Sequence, residues 1–392
     1  LRYRPEQLPC MAQWKVGRTG EYVFAFEPGN CHPIGRAEQR KRGGQEILEP
    51  MAKHIVELEL GILDGSEEIA EFRRSLKSLS EVKSVGKKVV VFGSFVVDLT
   101  GRTKTLPVPG QTVMGSTFVM GPGGKGSNQA VAAHRAGADV TLVTKVGKDV
   151  FGKVATDFYE KEGMNTEYIF VDEEKETGCA LITVEEGIAQ NEIVVISGAC
   201  GNITDEDVKS RALIESADIL LLQLEINFDA LYKVIDIAHA AGVTIVLNTA
   251  PAAELPAEVL KKLDIVTPNE TEAQILTGVK IENGDDAKKA AEVLMEKGVK
   301  QVVITLGSMG AFAMNSEKSE LVERLSVDAI DTTGAGDAFN GGFVMALAEG
   351  KDLFTALRYG NVTGALSVTR KGTAPSMPDR EAIDRLYAEA YG

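Results

Sequence analysis

The sequence predicts an α/β protein: a doubly wound, mostly parallel sheet with helices on both faces, a small β-sheet lid and a short β-rich N-terminal extension. Three features carry this expectation. Segments 88–92, 218–222, 243–247 and 301–305 are nearly unbroken runs of Val, Ile and Leu, as in strands buried on both faces. Segments with helical spacing alternate with them, the order that joins parallel strands through crossover helices. Three stretches of alternating polar and apolar residues, near 112–120, 178–184 and 192–196, interrupt that order. They predict a separate small sheet, placed where a lid over a cleft could come from.

The 392 residues, 44% of them apolar, suffice for one large α/β domain plus a smaller piece. The formal charge of -15 is unevenly placed. Residues 1–86 carry 13 Lys/Arg and 13 Asp/Glu, so residues 87–392 carry the other 29 and 44 and the whole net charge. An acidic domain repels nucleic acid and anionic membranes, so any phosphate chemistry must come from a local site. Cys10, Cys31, Cys179 and Cys200 form no C-x-x-C pair and the chain shows no signal peptide, which together predict a reduced cytoplasm. No apolar run approaches about 18 residues, so no membrane-spanning helix is expected. The chain begins with Leu1 rather than Met, which suggests an incomplete or processed N-terminus.

Residues 1–62 read as short strands and loops, with strands at 21–26 and 54–60 around a basic polar stretch at 32–44. So few strands cannot close a core alone. Residues 63–86, rich in Glu, Lys and Ser, read as a short helix and a charged linker. A fresh domain, 87–392, opens with the buried strand 88–92 and Gly93-Ser94. It continues with a strand at 140–144, a helix from Phe151, a strand at 218–222, a helix at 228–241 and strands at 243–247 and 263–266. Helices from Glu270 and at 285–297 and a strand at 301–305 follow.

Two glycine-rich stretches carry the chemistry. Asp331-Thr-Thr-Gly-Ala-Gly-Asp337 places two carboxylates around a Gly-Ala-Gly turn that runs into an apolar helix, about 337–348, with almost no polar face. Such a helix belongs in the middle of the protein. Gly334 and Gly336 let backbone N–H groups converge, and the helix adds the positive end of its dipole, so the turn suits an anion. Asp337 beside it suits removal of a proton from an attacking hydroxyl; a simple helix-capping Asp is the plainer alternative. Gly121-Pro-Gly-Gly-Lys-Gly-Ser-Asn128 precedes a small-residue helix at 129–136. Its spacing fits neither a P-loop nor a dinucleotide-binding turn. A close-approach glycine loop with Lys125 and Asn128 aimed into a cleft suits recognition of hydroxyls, which need both donors and acceptors.

The pair Gly-Gly-Lys-Gly-x-Asn-Gln-Ala (123–130) and Asp-Thr-Thr-Gly-Ala-Gly-Asp (331–337) resembles the two signatures of the ribokinase (PfkB-type) carbohydrate kinases over about 87–388. Leu224-Glu225, Thr267-Pro-Asn-Glu-Thr-Glu272, Ile304-Thr-Leu-Gly307 and Val368-Thr-Arg-Lys-Gly372 extend the resemblance. It implies ATP-dependent phosphorylation of a sugar primary hydroxyl, O5 of D-ribose first, with Mg²⁺ and K⁺. Another furanose, a keto-sugar acid or a nucleoside is the alternative within the family, and a non-catalytic sugar-binding protein the alternative outside it. The resemblance makes Asp337 the general base and the amides of Gly334, Ala335 and Gly336 the anion hole. It gives Asp98, Gly124, Lys125, Asn128 and Glu225 to the sugar, Asn269, Thr305, Gly307, Asn361 and Asn191 to ATP, and Asn269 with Glu272 to water-bound Mg²⁺. Asp331, Thr333, Ser367, Arg370, Gly372 and Ser376 match loops that enclose K⁺. Each has a plainer reading: Glu225 ends a strand, Glu272 faces solvent, Asn361 caps a turn. Val96 stands where the family has Asn, two residues before Asp98, so an apolar side chain is expected at the pocket rim. Exposed lid strands predict a homodimer.

The segment Phe26-Glu-Pro-Gly-Asn30 with Gly35-Arg36 resembles the C-terminal end of aldose 1-epimerase-like sandwiches, where a glutamate acts on a sugar ring. The remainder of such a fold is missing from the sequence. The expectation is therefore a non-catalytic fragment, with Glu27 a strand-end carboxylate rather than the seat of a mutarotase-like activity.

Overall fold

The computed structural model describes residues 87–186 and 190–392, together with the strand backbones at 2–3, 10–18, 21–29 and 58–59. The chain divides into two units, Leu1–Val82 and Lys83–Gly392. In the first, β1 (Arg2–Tyr3) pairs antiparallel with β4 (Leu58–Glu59), and β2 (Cys10–Arg18) with β3 (Glu21–Gly29). The strand expected at 21–26 is thus present and longer. Of the strand expected at 54–60, Leu58–Glu59 is described. The side chain of Glu27, the basic stretch 32–44, residues Asn30, Gly35 and Arg36, and the helix and linker at 63–86 lie outside the described residues.

The second unit opens with β5 (Lys88–Phe92), β6 (Val96–Thr103) and β7 (Gly115–Gly123), followed by α1 (Lys125–Arg135), β8 (Asp139–Gly147) and α2 (Val150–Glu162). β9 (Ile169–Asp172), β10 (Thr177–Glu185), β11 (Asn191–Gly198), α3 (Arg211–Glu215) and β12 (Ile219–Leu222) come next. The α/β alternation resumes with α4 (Phe228–Ala241), β13 (Thr244–Leu247), α5 (Ala257–Leu260), β14 (Ile265–Val266), α6 (Glu270–Thr277), α7 (Gly284–Glu296) and β15 (Gln301–Thr305). It closes with β16 (Ala311–Met314), β17 (Ser319–Val322), α8 (Ala335–Ala348), α9 (Leu353–Ser367) and α10 (Arg380–Tyr391).

Nine strands form the main sheet in the order β17-β16-β15-β14-β13-β12-β5-β8-β9. From β15 to β9 every pairing is parallel, and β16 and β17 add an antiparallel edge. Side chains alternate between the two faces. Val89, Val91, Leu142, Ile219, Leu221, Val246 and Val303 pack against α1, α8 and α9. Val90, Phe92, Val143, Leu220, Leu222, Ile245, Leu247, Val302 and Ile304 pack under α4, α6 and α7. Burial on both faces is why these strands carry no polar alternation. Because β8 lies on one side of β5 and β12 on the other, the strand order reverses there, and a cleft is expected at the carboxyl ends of the strands around that point.

The apolar helix at about 337–348 is present, starts two residues earlier and is buried along nearly its whole length. It packs against α1 so closely that a Cβ on Gly341 would lie 2.3 Å from the Cβ of Ala132. Glycine there sets the approach of the two helices.

The lid is a four-stranded sheet in the order β11-β10-β6-β7. Two expected boundaries move. The lid strand expected near 112–120 is β7, 115–123, because Gly121, Pro122 and Gly123 continue the ladder opposite Asp98, Val97 and Val96 of β6. The helix expected at 129–136 begins at Lys125, so Lys125 and Asn128 lie on its first turn rather than in a loop. β6 was not anticipated as a strand; it is the segment that leads the chain from the main sheet into the lid.

Candidate active site

The strands of the main sheet end in polar residues on one side of the molecule. Ser94 follows β5, Gln223 and Glu225 follow β12, Asn248 follows β13, Thr267 and Asn269 follow β14, and Thr305 ends β15. The N-termini of α1, α6 and α8 reach the same region. A cleft is lined there by Lys125, Asn248, Ala250, Asn269, Glu272, Thr305, Thr332, Gly334, Ala335, Gly336, Asp337 and Asn340. Eight of the sequence-predicted residues (Lys125, Asn269, Glu272, Thr305, Gly334, Ala335, Gly336 and Asp337) therefore share one cavity.

Asp337, 6% exposed, lies on the first turn of α8. Its Oδ2 accepts from Asn128 Nδ2 at 2.9 Å and its Oδ1 from Gln129 Nε2 at 2.9 Å. Two neutral amides that cannot take up its proton thus hold the carboxylate from both sides. Gly334, at φ 79, turns the chain into α8, a backbone region that few residues other than glycine adopt. The Ala335 N–H is directed to the Thr332 carbonyl at 3.3 Å. The first-turn amides that follow have no intrahelical acceptor, as at any helix start, and the dipole favours an anion before them.

Lys125 stands among Asp337, Glu225 and Glu272. Burial opposes its charge, but these three carboxylates hold its ammonium above the ordinary range. Asn269 caps α6 in a reciprocal arrangement: its Oδ1 accepts from Glu272 N at 2.9 Å, and Glu272 Oε2 accepts from Asn269 N at 3.0 Å. Glu272 is 7% exposed, which excludes the solvent-facing reading, and burial raises its carboxyl.

At the lid end, Asp98 is pushed up to about 6, chiefly by burial and further by Glu225 and Asp337, against a hydrogen bond from Thr373. The Thr373 hydroxyl is 3.1 Å from both Asp98 Oδ2 and the Pro122 carbonyl, and its single proton serves one of them. Asn128 Oδ1 is buried and has no partner among the described residues, an acceptor left open beside Asp337. Glu225 Oε2 accepts from Ser94 Oγ at 2.5 Å and Lys125 N at 2.9 Å, so it also caps α1 beneath Gly124.

The 331 and 367–376 segments meet. Asp331 Oδ1 accepts from Thr333 N at 3.0 Å and Oδ2 from Gly372 N at 3.1 Å, while Ile330 N and Asp331 N donate to the Val368 carbonyl. Ser367 and Ser376 are buried and bond to the Gly364 and Thr373 carbonyls. Arg370 is exposed. Gly307 follows Thr305 at the end of β15. Asn361 is not among the cleft residues: its Nδ2 donates to the Glu323 carbonyl at 2.8 Å and to Tyr391 OH at 3.1 Å. Asn191 opens β11, and its side chain lies outside the described residues.

Sequence reasoning missed Gln129, Gln223, Asn248, Thr332, Asn340 and Thr373. One signal was available, since β12, β13, β14 and β15 each end in or run directly into a Gln, Asn or Thr; without the strand order, nothing tells which of these ends meet.

Comparison with known proteins agrees with this arrangement. The model of the pfkB family carbohydrate kinases matches residues 86–380, and a domain of unknown function, DUF4432, matches residues 1–62. The ribokinase of Haemophilus influenzae is 43% identical over 296 residues, 75% of this chain and 96% of that protein. A deoxyribokinase from Salmonella typhi is 36% identical, covering 76% and 98%. The structure of Arabidopsis thaliana ribokinase complexed with ribose and ATP superimposes with a TM-score of 0.72 at 31% identity, over 77% of this chain and 99% of that one. The chain belongs to the pfkB family of carbohydrate kinases.

Proposed function

We propose that the protein transfers the γ-phosphoryl group of ATP to the primary hydroxyl of D-ribose, giving D-ribose 5-phosphate. The observation that carries this is the buried carboxylate of Asp337, held by two amides at the start of α8 and facing the same cleft as Lys125 and Asn269. The relatives named above supply the acceptor and donor by similarity.

Asp337 takes the proton from the attacking hydroxyl, which it can do because its neighbours Asn128 and Gln129 donate to it and leave the carboxylate free to accept. Asp98, the open Oδ1 of Asn128, Gly124, Lys125 and Glu225 bind the sugar hydroxyls. The amides of Gly334 and Gly336 and the ammonium of Lys125 stabilise charge on the transferred phosphoryl group, while the Ala335 N–H is directed to the Thr332 carbonyl. Thr305 and Gly307 border the nucleotide, with Asn191 approaching from the lid, whereas Asn361 is held away from the cleft by Glu323 and Tyr391. Asn269 and Glu272 offer one amide and one carboxylate, a sparse oxygen set that suits an ion keeping most of its water. When bound there, Mg²⁺ neutralises the phosphates. Asp331, Thr333, Ser367, Arg370, Gly372 and Ser376 supply hard oxygens from two loops that Asp331 already ties together, which fits K⁺.

The lid carries exposed Phe118, Met120, Leu181, Ile193 and Val195, and strands β7 and β11 lie at its edges, so a second copy pairing through these strands is the assembly we infer. The chain is read as a fusion of a non-catalytic fragment at 1–62, a linker at 63–86 and the kinase at 87–392; the two family matches, ending at 62 and beginning at 86, support that division. A kinase that consumes ATP and keeps Cys179 and Cys200 as thiols fits the cytoplasm. The test is ADP release in the presence of ribose, 2-deoxyribose, fructose, 2-keto-3-deoxygluconate and nucleosides. Highest kcat/KM with ribose is expected; a preference for any other acceptor overturns the assignment.

A further inference from the structure

We infer that Gln129 is a positioning residue that fixes the carboxylate of Asp337, and that Gln223 and Asn248 in turn fix Gln129. The inference rests on the reading of Asp337 as the base.

The Gln129 side chain has few choices. Gln129 is fully buried. Its Nε2 donates to Asp337 Oδ1 at 2.9 Å and to Asn248 Oδ1 at 2.9 Å, which uses both of its protons. Its Oε1 accepts from Gln223 Nε2 at 2.7 Å. Asn248 Nδ2 is itself committed to the backbone carbonyl of Thr267 at 2.7 Å. An amide can be turned over when its neighbours donate and accept alike. Here both ends of the chain are groups that only accept, a backbone carbonyl and a carboxylate. The direction of every bond between them follows, and the amino group of Gln129 must face Asp337.

This run of amides joins α1 to the carboxyl ends of β12, β13 and β14, so the base on α8 is referenced to the main sheet and not only to its own helix. Asn128 holds the other oxygen, but its amide also has the open Oδ1 that we give to the substrate, so it can respond when a sugar enters. Gln129 has no such freedom. Gln223 leaves its own Oε1 buried without a partner, a cost that its bond to Gln129 must offset. The charged groups facing Asp337 come from other elements: Lys125 on α1, Asp98 on β6 and Glu272 on α6. None of them forms a hydrogen bond to it, so the amides set its orientation.

A purely structural role, filling the core and satisfying polar atoms, would lower stability without selecting one kinetic constant. A positioning role lowers kcat and leaves substrate binding alone, and it orders the variants. Gln129→Met keeps the length and removes both donors; a loss in kcat on the order of 10- to 10²-fold is expected, the scale of a reacting group misplaced by about an ångström. KM for sugar and for ATP should change little. Gln129→Glu keeps the shape but sets a second carboxylate against Asp337, and kcat should fall further. Gln223→Met, one bond removed, should cost less than either. Rates are measured per folded molecule, with thermal melting and sugar binding by calorimetry alongside. Equal kcat in the parent, Gln129→Met and Gln129→Glu overturns the proposal, as does a loss shared equally by KM. Where Gln129→Met does not fold, the isosteric Gln129→Glu carries the same reading, and Gln223→Met does so where neither folds. Asp337→Asn, measured in parallel, separates the two levels. Full activity in that variant removes the base itself, whereas an inactive Asp337→Asn beside unaffected Gln129 variants removes only the positioning role.

Discussion

Asn128 Nδ2 lies 2.9 Å from Asp337 Oδ2, although the two residues stand 209 positions apart in the chain. Each opens a helix behind a glycine turn, and the close packing of α1 on α8 through Gly341 brings the two helix starts together. The contact joins a residue suited to bind a hydroxyl with one suited to take its proton. Its Oδ1 stays open for that hydroxyl.

Asp337→Asn keeps the shape of the side chain and removes the proton acceptor. We expect kcat to fall by at least ~10²-fold with little change in ATP affinity. Steady-state kinetics with ATP binding measured separately decides the point, and near-normal turnover removes Asp337 from its role.

The pH dependence of sugar binding should follow Asp98. Burial, reinforced by Glu225 and Asp337, raises it from 3.8 to about 6. The form that accepts a hydroxyl hydrogen bond therefore dominates only above that value. KM for the sugar is expected to rise as pH falls from 7 to 5, by up to ~10-fold per unit below the midpoint, while KM for ATP does not follow. Thr373→Val removes the one hydrogen bond that opposes the shift and should move the midpoint up. A sugar KM that is flat across this range shows that Asp98 does not contact the sugar in its ionised form. The same shift bears on stability. Between 3.8 and 6 the folded state holds a proton that the unfolded chain has lost, so this group favours folding at low pH and the benefit disappears as pH rises through 6.

How far the sequence reached can be seen residue by residue. The apolar runs at 88–92, 218–222 and 301–305 announced strands buried on both faces, because burial on both sides removes polar alternation. The helix from α8 was legible for the same reason. What local pattern could not convey was where one element hands over to the next. Gly121 to Gly123 read as loop because glycine and proline usually end strands, yet cross-strand pairing with Asp98, Val97 and Val96 keeps them in β7. The two motifs exposed Asp337 and Asn128. Gln129 sat inside one of them without a visible task, since its partners Asn248 and Gln223 come from strand ends that only the sheet order places side by side.

Asp331 accepts from the Thr333 amide of its own loop and from the Gly372 amide of the other, tying the two together, and its loop leads directly into Gly334. A monovalent cation held by these loops would therefore stiffen the turn that carries the anion-binding amides. Replacing K⁺ by Na⁺ is expected to lower activity several-fold, with the effect in kcat. Equal rates over a full titration of both salts show that the loops hold no activating ion.

Val96 should govern how sharply the pocket selects its sugar. It is 3% exposed and precedes Asp98 by two residues in β6, so the two side chains leave the strand on the same face. It pairs with Gly123 on one side and Gly178 on the other, and a Cβ on Gly178 would come within 2.9 Å of Val96 Cγ1. The valine thus fills the base of the lid beside the Gly123-Gly124 turn. An apolar side chain rejects a wrong sugar only by shape, at about 1–3 kcal/mol per group, whereas a buried amide discriminates strongly against an analogue lacking its partner hydroxyl. With valine in place, ribose and 2-deoxyribose should be separated less sharply than by a pocket that carries an amide. Val96→Asn should restore the sharper ratio, because the new amide is buried and must find a hydroxyl or remain unpaired, and an unpaired amide costs about 1–3 kcal/mol. The measurement is the ratio of kcat/KM for ribose and 2-deoxyribose in the parent and in Val96→Asn, with Asp98 intact in both. A rise in that ratio places Val96 against the sugar; an unchanged ratio in a folded, active variant shows that the valine only packs the lid, and that selection at this position lies with Asp98 and Asn128.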